Sequence, residues 1–222
     1  GWPNMRPKVT WRPLHGVLLL DKPVGLSSQD ALWRARRLLR ADKGGHTGTL
    51  DPLASGLLPL CFGAATKFAQ ASLDADKAYR ATLRLGVTRE GGDLEGEVLQ
   101  VRPVTVDDVA LQSALARLTG EIEQLPPMRS ALKHQGKALY EYARAGIEER
   151  APRRVRIHRL ELVERRGDEL VLDVACSKGT YVRTLAEDLG ELLGCGAHLS
   201  ALRRTARGAL RVEQAITLDA LA

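Results

Sequence analysis

Apolar and polar residues alternate in several short segments of this chain, as they do in half-buried β-strands. The clearest case is Lys77–Leu85 (KAYRATLRL), where Tyr79 and every second residue after it are apolar, with arginine or threonine between them. Five further segments alternate in this way or form a short apolar run, and we predict strands over His15–Pro23, Val98–Val101, Glu121–Leu125, Val155–Val163 and Glu169–Ala175. The last two flank a short polar turn, so we expect them to form a hairpin.

Apolar residues at helical spacing mark the other predicted elements. Ser27 or Ser28 can cap one helix, and Thr180 can cap another that Gly194 ends. We predict helical segments after Asp108 and over Cys61–Leu73, Tyr181–Leu193 and Ile216–Leu221, and a short one (LYEYARAG) at Gly136–Ala145. We also predict an open loop to about Leu60 and an extended segment over His198–Thr205. Strands mixed with helices, adjacent antiparallel pairs and no βαβ repeat predict an α+β fold.

The composition predicts one domain in a reducing compartment. The chain has 222 residues, of which 44% are hydrophobic and only 4% aromatic, so we expect a core of aliphatic side chains. Three cysteines without a CxxC pair argue against a disulfide framework and favour the cytoplasm. The sequence has no apolar run near the roughly twenty residues of a membrane helix and no signal-peptide pattern. We expect Gly1–Asn4 to be a cloning remnant, which leaves residues 5–222 as the domain.

The charge favours an anionic partner, most commonly nucleic acid. The net charge is +6, and the isoelectric point is about 9.5. A single basic cluster is usually a solvated face, but three clusters favour phosphate contacts. These clusters are Arg34/Arg36/Arg37/Arg40, Arg150/Arg153/Arg154/Arg156 and Arg203/Arg204/Arg207. Lys22 and Lys67 follow apolar runs, and each either meets a phosphate or is solvated.

A lone acid, Asp51, lies in the segment Gly45–Leu60 (GHTGTLDPLASGLLPL). The proline after it disfavours a helix, and the glycines allow tight turns and the close approach of another backbone. The leucines of this segment are unusual for a solvated loop. Asp51 is either an ordinary Asp-Pro turn residue or a carboxylate positioned for chemistry. The second interpretation needs a nearby cation, because burial alone raises a carboxyl pKa.

Two other residues have both an ordinary and a functional interpretation. Arg183 lies in the first turn of its predicted helix, where the helix dipole disfavours cations. It either pairs with Glu187 one turn later or meets a specific anion, for which Asp51 is a candidate. Tyr79 faces the inner side of its strand, where it either packs in the core or stacks on a nucleobase.

Several other chemistries lack their motifs. The sequence contains no GxxxxGK[ST], so the glycine-rich segment is not a phosphate-binding P-loop. It contains neither HExxH nor a close His/Cys/Asp group that suggests a metal site, and no GxSxG nucleophile elbow. We therefore expect no metal and no cofactor.

The sequence resembles the bacterial tRNA pseudouridine synthase B family along nearly its whole length. Beyond Gly45–Leu60, the matching motifs are FGAATK, DKAYR, LGVT, SALKHQGKALYEYARAG, CSKGTYVRTLAEDLG and CGAHLSALRR, in the family's order and spacing. The resemblance implies a pseudouridine synthase fold, a large and mostly antiparallel mixed sheet flanked by helices and loops with a central RNA-binding cleft. It also implies isomerisation of uridine to pseudouridine at position 55, in the T-loop of tRNA.

The resemblance also implies roles for individual residues. Asp51 would be the covalent catalyst, attacking either the ribose C1′ or the uracil ring, and a glycal route with Tyr79 near the 2′ proton is a third possibility. Arg183 would pair with Asp51, and His46 would help to extrude the base. Tyr79 would stack on that base, Tyr181 and Leu202 would line its pocket, and Lys22 and Pro23 match a KPxG stretch near the site. Expected phosphate contacts are Arg34, Arg36, Arg37, Lys67 and Arg203.

The expected partner is tRNA, bound at its T-loop and T-stem. We expect the protein to act as a monomer and not to bind a membrane. The sequence departs from the family at Arg129, where tyrosine is usual, and at Gly91–Glu95, where a more acidic segment is usual. The family commonly continues into a C-terminal PUA-type domain, which we expect to be absent here. Two alternatives stay open: an RNA-binding or RNA-folding module, and a hydrolase that combines Asp51 with Asp93 or Glu187.

Overall fold

The chain divides into two compact units, which are described separately. The computed structural model describes residues 8–72, 75–127 and 151–222, together with residues 133–134 and 137–138. The first unit contains the residues up to Asp74 and the segment Arg204–Ala222, and the second contains Ala75–Arg203. The expected remnant Gly1–Asn4, the departure at Arg129 and the short helical segment LYEYARAG predicted at Gly136–Ala145 lie outside the described residues.

The first unit combines antiparallel strands with a capped helix. Its elements are β1 (Gly16–Lys22), α1 (Ser28–Leu39), β2 (Gly44–His46), β3 (Ala54–Phe62), a 3₁₀ helix (Gly63–Ser72), the end of β12 (Ala197–Arg207), β13 (Leu210–Arg211), a 3₁₀ turn (Val212–Gln214) and α4 (Leu218–Leu221). Strand β3 pairs antiparallel with β1 and with β2. Ser27 caps α1, because its side chain accepts a hydrogen bond from the Asp30 amide. Leu38, predicted on the apolar face of α1, is exposed.

The sequence-based prediction for residues 54–62 was wrong. An open loop to Leu60 followed by a helix from Cys61 was expected, but the segment forms β3 and the 3₁₀ helix begins only at Gly63. This strand is almost wholly buried, so its apolar residues do not alternate with polar ones. Gly56 and Pro59 disguised it further, because both residues usually interrupt strands.

The second unit is built around antiparallel strands. Its elements are β4 (Lys77–Leu85), β5 (Val87–Arg89), a 3₁₀ turn (Glu90–Gly92), β6 (Val98–Val101), α2 (Asp108–Arg117), β7 (Gly120–Gln124), β8 (Lys133–His134), β9 (Lys137–Ala138), β10 (Arg153–Arg166), β11 (Glu169–Cys176), α3 (Val182–Leu193) and the start of β12. Strand β11 pairs with both β4 and β10, and β10 pairs with β7, always antiparallel. The predicted hairpin and the alternating strand Lys77–Leu85 are therefore confirmed, and so is the α+β class.

One apolar core holds the second unit together. The inward residues of β4, β10 and β11 pack with the buried faces of α2 and α3. Leu83, Leu111 and Leu189 are among its almost completely buried members. Burying a leucine side chain contributes about 1.5–3 kcal/mol, so this core supplies the stability on which the loops at its ends depend.

Candidate functional site

The loop between β2 and β3 carries Asp51, whose main chain is hydrogen-bonded at its own carbonyl and at the next residue. The Asp51 carbonyl accepts from the Ala54 amide at 2.9 Å, and the Pro52 carbonyl accepts from the Gly25 amide at 2.7 Å. The side chain of Asp51 is exposed. The loop therefore presents a carboxylate to solvent from a backbone with little freedom.

Ser28, at the start of α1, fixes the residue before Asp51. Its buried hydroxyl donates to the Leu50 carbonyl at 2.9 Å and accepts from the Leu50 amide at 2.7 Å. Neighbouring Ser27 makes the helix cap, so the two candidate cap residues have different tasks. Sequence reasoning missed the task of Ser28, because its partner lies 22 residues further along the chain.

Lys22 is a buried cation close to Asp51. The side chain has no exposed surface, and Nζ donates to the carbonyls of Pro23, at 2.7 Å, and Leu26. Burial lowers the pKa of Lys22, while the negative charge of Asp51 acts in the opposite direction. Lys22 and Asp51 therefore interact electrostatically within the first unit.

Two buried arginines at the end of β12 bind the same loop. Arg204 donates to the carbonyls of Leu57, at 2.9 Å, and Gly48, at 2.6 Å. Arg207 donates to the Thr47 hydroxyl at 2.9 Å. The expectation that these two arginines belong to a phosphate-binding cluster was wrong, since both are about 1% exposed. They serve as internal donors to the Asp51 loop.

Two glycines, Gly48 in the loop and Gly56 in β3, allow the two arginines to approach closely. Gly48 has φ +65°, and an added Cβ would overlap the Arg207 guanidinium. An added Cβ at Gly56 would overlap the backbone of Arg204. The sequence had indicated the close approach of another backbone here, but not which segment supplies it.

His46 ends β2 beside the loop and is half-buried. Burial lowers the pKa of its imidazole, so the ring is neutral at neutral pH. Its Nδ1 is buried and has no hydrogen-bond partner among the described residues. A neutral, half-buried ring is suited to packing against a nucleobase through its exposed part, not through the buried Nδ1.

Tyr79 and Leu202 belong to the second unit. Tyr79 lies in β4 opposite Val174 of β11 and is 9% exposed, as its inward position predicted. Leu202, in β12, is half-buried and packs against the same core. Both side chains are thus fixed by packing.

Arg183 lies in the first turn of α3 and pairs with Asp93. Its guanidinium nitrogen is 3.4 Å from the Asp93 carboxylate, and the two side chains are 17% and 9% exposed. The other carboxylate oxygen of Asp93 accepts from the Glu95 amide at 2.9 Å. Sequence reasoning considered Asp93 only as the second acid of a hydrolase. The pairing of Arg183 with Asp51 stays a prediction.

Tyr181 precedes α3 and is half-buried. The prediction that Thr180 caps this helix was wrong, because the Thr180 hydroxyl donates to the Ser177 carbonyl at 2.8 Å. The capping position belongs to Tyr181, whose side chain makes no capping hydrogen bond. The contacts that fix Tyr181 come from strands β7 and β10.

The residues expected to contact phosphates differ in their exposure to solvent. Arg34, Arg37 and Lys67 are exposed and Arg203 is half-buried. Arg36 instead donates to the carbonyls of Ala41 and Asp42, at 2.9 Å and 2.7 Å, and lies over the Trp11 ring. Its guanidinium is thus already occupied at the end of α1.

The described part of the chain contains no group of three or more His, Cys, Asp or Glu side chains placed to hold a metal ion. Within the same residues, no helix is both long enough and apolar enough to cross a membrane.

Comparison with known proteins matches this chain to one family. Residues 36–182 match the profile of the TruB family pseudouridylate synthase N-terminal domain, and residues 183–222 match the tRNA pseudouridylate synthase B C-terminal domain. The tRNA pseudouridine synthase B of Burkholderia mallei is 64% identical over 217 residues, which are 97% of this chain and 70% of that protein. That of Cupriavidus metallidurans is 64% identical over 96% of this chain and 69% of its own length.

Solved structures share the fold. A Cbf5-Nop10-Gar1 complex contains a chain that is 32% identical, with a TM-score of 0.74 over 97% of this chain. An H/ACA RNP bound to a substrate RNA containing 2′-deoxyuridine contains a 30% identical chain, with a TM-score of 0.70 over 92%. The chain spans only 59% and 51% of those two chains. These likenesses confirm the pseudouridine synthase fold that the sequence predicted.

Proposed function

Because the chain belongs to the TruB family of pseudouridylate synthases, we propose that it isomerises uridine to pseudouridine at position 55 of tRNA. Curated relatives with 64% identity are tRNA pseudouridine synthases B. The observation that carries the proposal is the Asp51 loop: an exposed carboxylate on a main chain that is hydrogen-bonded at Leu50, before it, and at Pro52, after it. Covalent catalysis needs a nucleophile held in this way.

In the proposed reaction the bond between ribose C1′ and uracil N1 breaks, and a bond between C1′ and uracil C5 forms. The C5 proton leaves and N1 gains a proton, so the reaction is an isomerisation without net oxidation or hydrolysis. Asp51 serves as the covalent catalyst, at C1′ or at the ring. The buried ammonium of Lys22 interacts electrostatically with this carboxylate.

The target base must leave its stack before this chemistry, which costs a few kcal/mol. We assign extrusion of the base to His46, whose half-buried imidazole is neutral. Tyr79 stacks on the extruded base, and Tyr181 and Leu202 line its pocket. The proposed partner of the Asp51 carboxylate stays Arg183, whose guanidinium also pairs with Asp93.

The proposed partner is tRNA, bound at its T-loop and T-stem. The protein acts as a cytoplasmic monomer and needs no cofactor. Arg34, Arg37, Lys67 and Arg203 are the proposed phosphate contacts, and Pro23 shapes the turn beside Lys22. Arg36 is assigned a smaller part than the sequence suggested, because it already binds two carbonyls.

Tritium release from tRNA labelled at uracil C5 tests the proposal, since the label leaves only when C5 forms its new bond. The wild-type protein is expected to release tritium, while Asp51→Asn loses at least about a thousandfold in rate and retains tRNA affinity. Release by the wild type with full activity in Asp51→Asn would remove Asp51 from the nucleophile role.

The same assay separates the two alternatives. An RNA-binding module would bind tRNA without releasing tritium or changing the RNA. A hydrolase would yield free uracil and an abasic site. A hydrolase with Asp93 as its second acid is the weaker hypothesis, because Asp93 is nearly buried and already paired with Arg183.

A further inference from the structure

Gln124, the last residue of β7, binds both polar groups of the Tyr181 main chain. Its Oε1 accepts from the Tyr181 amide at 2.9 Å, and its Nε2 donates to the Tyr181 carbonyl at 3.1 Å. Exchanging the amide oxygen and nitrogen would set acceptor against acceptor, so only one orientation of the side chain satisfies both bonds. The side chain is about 1% exposed, so water does not compete for these contacts.

Arg153 stands directly opposite Gln124 in the pairing of β10 with β7. Its guanidinium carbon lies 5.9 Å from the centre of the Tyr181 ring, within the range of a cation–π contact. One of its nitrogens also approaches the Gly179 carbonyl at 3.4 Å. Gly179 has φ +76°, and an added Cβ would lie 2.8 Å from that nitrogen, so the glycine makes room for the arginine.

We propose that Gln124 and Arg153 form a clasp that positions Tyr181 and the first turn of α3 for the reaction. The inference rests on the proposed function, in which Tyr181 lines the base pocket and Arg183 follows two residues later. Gln124 fixes the main chain of Tyr181, and Arg153 fixes the plane of its ring. Both are positioning residues, because they act on the base through Tyr181.

The loop before Tyr181 has an independent attachment at its other end. The Ser177 amide donates to the Arg156 carbonyl at 2.9 Å, and the Ser177 hydroxyl accepts from the Arg156 amide at 2.8 Å. Removal of the clasp therefore leaves the loop attached at Ser177 while Tyr181 gains freedom. The expected defect is in the rate of the chemical step rather than in RNA affinity.

Gln124→Glu provides the decisive test because its hydrogen bonding depends on pH. A protonated carboxyl can accept from the Tyr181 amide and donate to its carbonyl, as the glutamine does. An ionised carboxylate cannot donate and repels that carbonyl. Burial raises the pKa of the introduced carboxyl into an accessible range. The single-turnover rate of this variant relative to wild type should therefore rise as the pH falls.

We expect Gln124→Glu to be about 30-fold slower than wild type near pH 8 and about threefold slower near pH 5.5. Gln124→Met, which can make neither bond, should be slow at both values. Gln112→Glu is the matched control, because it adds the same charge at an exposed position of α2 and should follow the wild-type profile. Thermal unfolding at each pH identifies any loss of fold.

Arg153→Gln tests the other half of the clasp against Arg154→Gln. The neighbouring Arg154 is exposed and only loosely paired with Glu121, at 3.7 Å. Both variants lose one positive charge, so any loss of RNA affinity from charge alone should be equal. Only Arg153→Gln should slow the single-turnover rate, by about tenfold.

Each outcome decides between the hypotheses. An inactive wild-type protein would contradict the proposed function itself. With an active wild type, a pH-dependent recovery that is confined to Gln124→Glu supports the clasp. Wild-type rates in both Gln124 variants, or a constant deficit of folded Gln124→Glu at every pH, would overturn it. Should Gln124→Met fail to fold, the titration of the glutamate variant still gives the answer.

Discussion

The two compact units hold their proposed site residues by different physical means. In the first unit, Asp51 is exposed, and its loop is bound by the buried hydroxyl of Ser28 and the buried guanidinium of Arg204. In the second unit, Arg183 is mostly buried and is neutralised by the carboxylate of Asp93. One unit thus presents a charge on a fixed backbone, and the other encloses a charge beside its counterion.

This difference determines what a substitution should do. Removing a group that holds the loop in the first unit leaves polar main-chain groups unpaired and lets the acid move. Removing the counterion in the second unit leaves a desolvated charge, which is far more costly. We therefore expect such substitutions to reduce the free energy of unfolding more in the second unit than in the first. In the first unit, we expect them to affect activity more than stability.

The largest loss of stability is expected for Asp93→Ala. Breaking a buried ion pair from one side costs about 3–5 kcal/mol, so the urea midpoint should fall steeply. Asp173→Ala is the matched control, because Asp173 forms a 3.0 Å pair with a half-exposed Arg80 in the same unit and should cost at most about 1 kcal/mol. Equal losses in the two variants would show that burial of the Arg183 pair is unimportant.

Arg204→Met should have the largest effect on activity among the groups that hold the first unit. It leaves the carbonyls of Gly48 and Leu57 without this donor, at about 1–3 kcal/mol each, although loss of a buried charge offsets part of that cost. Because Gly48 belongs to the Asp51 loop, the single-turnover rate should fall by at least about tenfold. A rate equal to wild type would mean that the guanidinium supports only the fold.

Arg34→Met, on the exposed face of α1, provides the contrast for that experiment. It should leave the single-turnover rate unchanged and reduce the salt dependence of tRNA binding by about one phosphate contact. An unchanged salt dependence would mean that Arg34 faces solvent in the complex.

Adjacent serines allow a finer test of the first unit. Ser28→Ala removes both hydrogen bonds to Leu50 and should cost about 1–3 kcal/mol, with a several-fold slower chemical step because Asp51 follows Leu50. Ser27→Ala removes only the helix cap and should cost about 1 kcal/mol with the rate unchanged. If the two variants were equally active, the hydroxyl of Ser28 would have no part in placing Asp51.

Local patterns predicted the elements whose partners are close in sequence or whose faces differ in polarity. The strand Lys77–Leu85 was predicted correctly because one of its faces is polar and the other is buried. Strand β3 was missed because it is buried almost throughout, so no alternation marks it. Its glycine and proline then made it look like a loop.

The candidate site shows the same limit. Motifs selected Asp51, Tyr181 and Arg183 as candidates, because each lies in a distinctive segment. The groups that fix them were missed because they come from distant parts of the chain. Asp93 is 90 residues from Arg183, and Gln124 is 57 residues from Tyr181. A buried glutamine or serine leaves no local signature, and only the fold brings it to its partner.

The smallest effect expected concerns Asp188, a carboxyl group whose pKa is raised by burial from 3.8 to about 6. The folded state therefore binds this proton more tightly than the unfolded chain, and stability falls as the pH rises from about 4 through about 6. Asp188→Asn removes this dependence, and it should stabilise the protein by about 1 kcal/mol near pH 7.5 and by almost nothing near pH 4. The expected stabilisation is smaller than the raised pKa of Asp188 alone would give, because the side chain is partly solvated. Urea unfolding at both pH values measures the difference, and an equal gain at both would show that ionisation of Asp188 does not cause it.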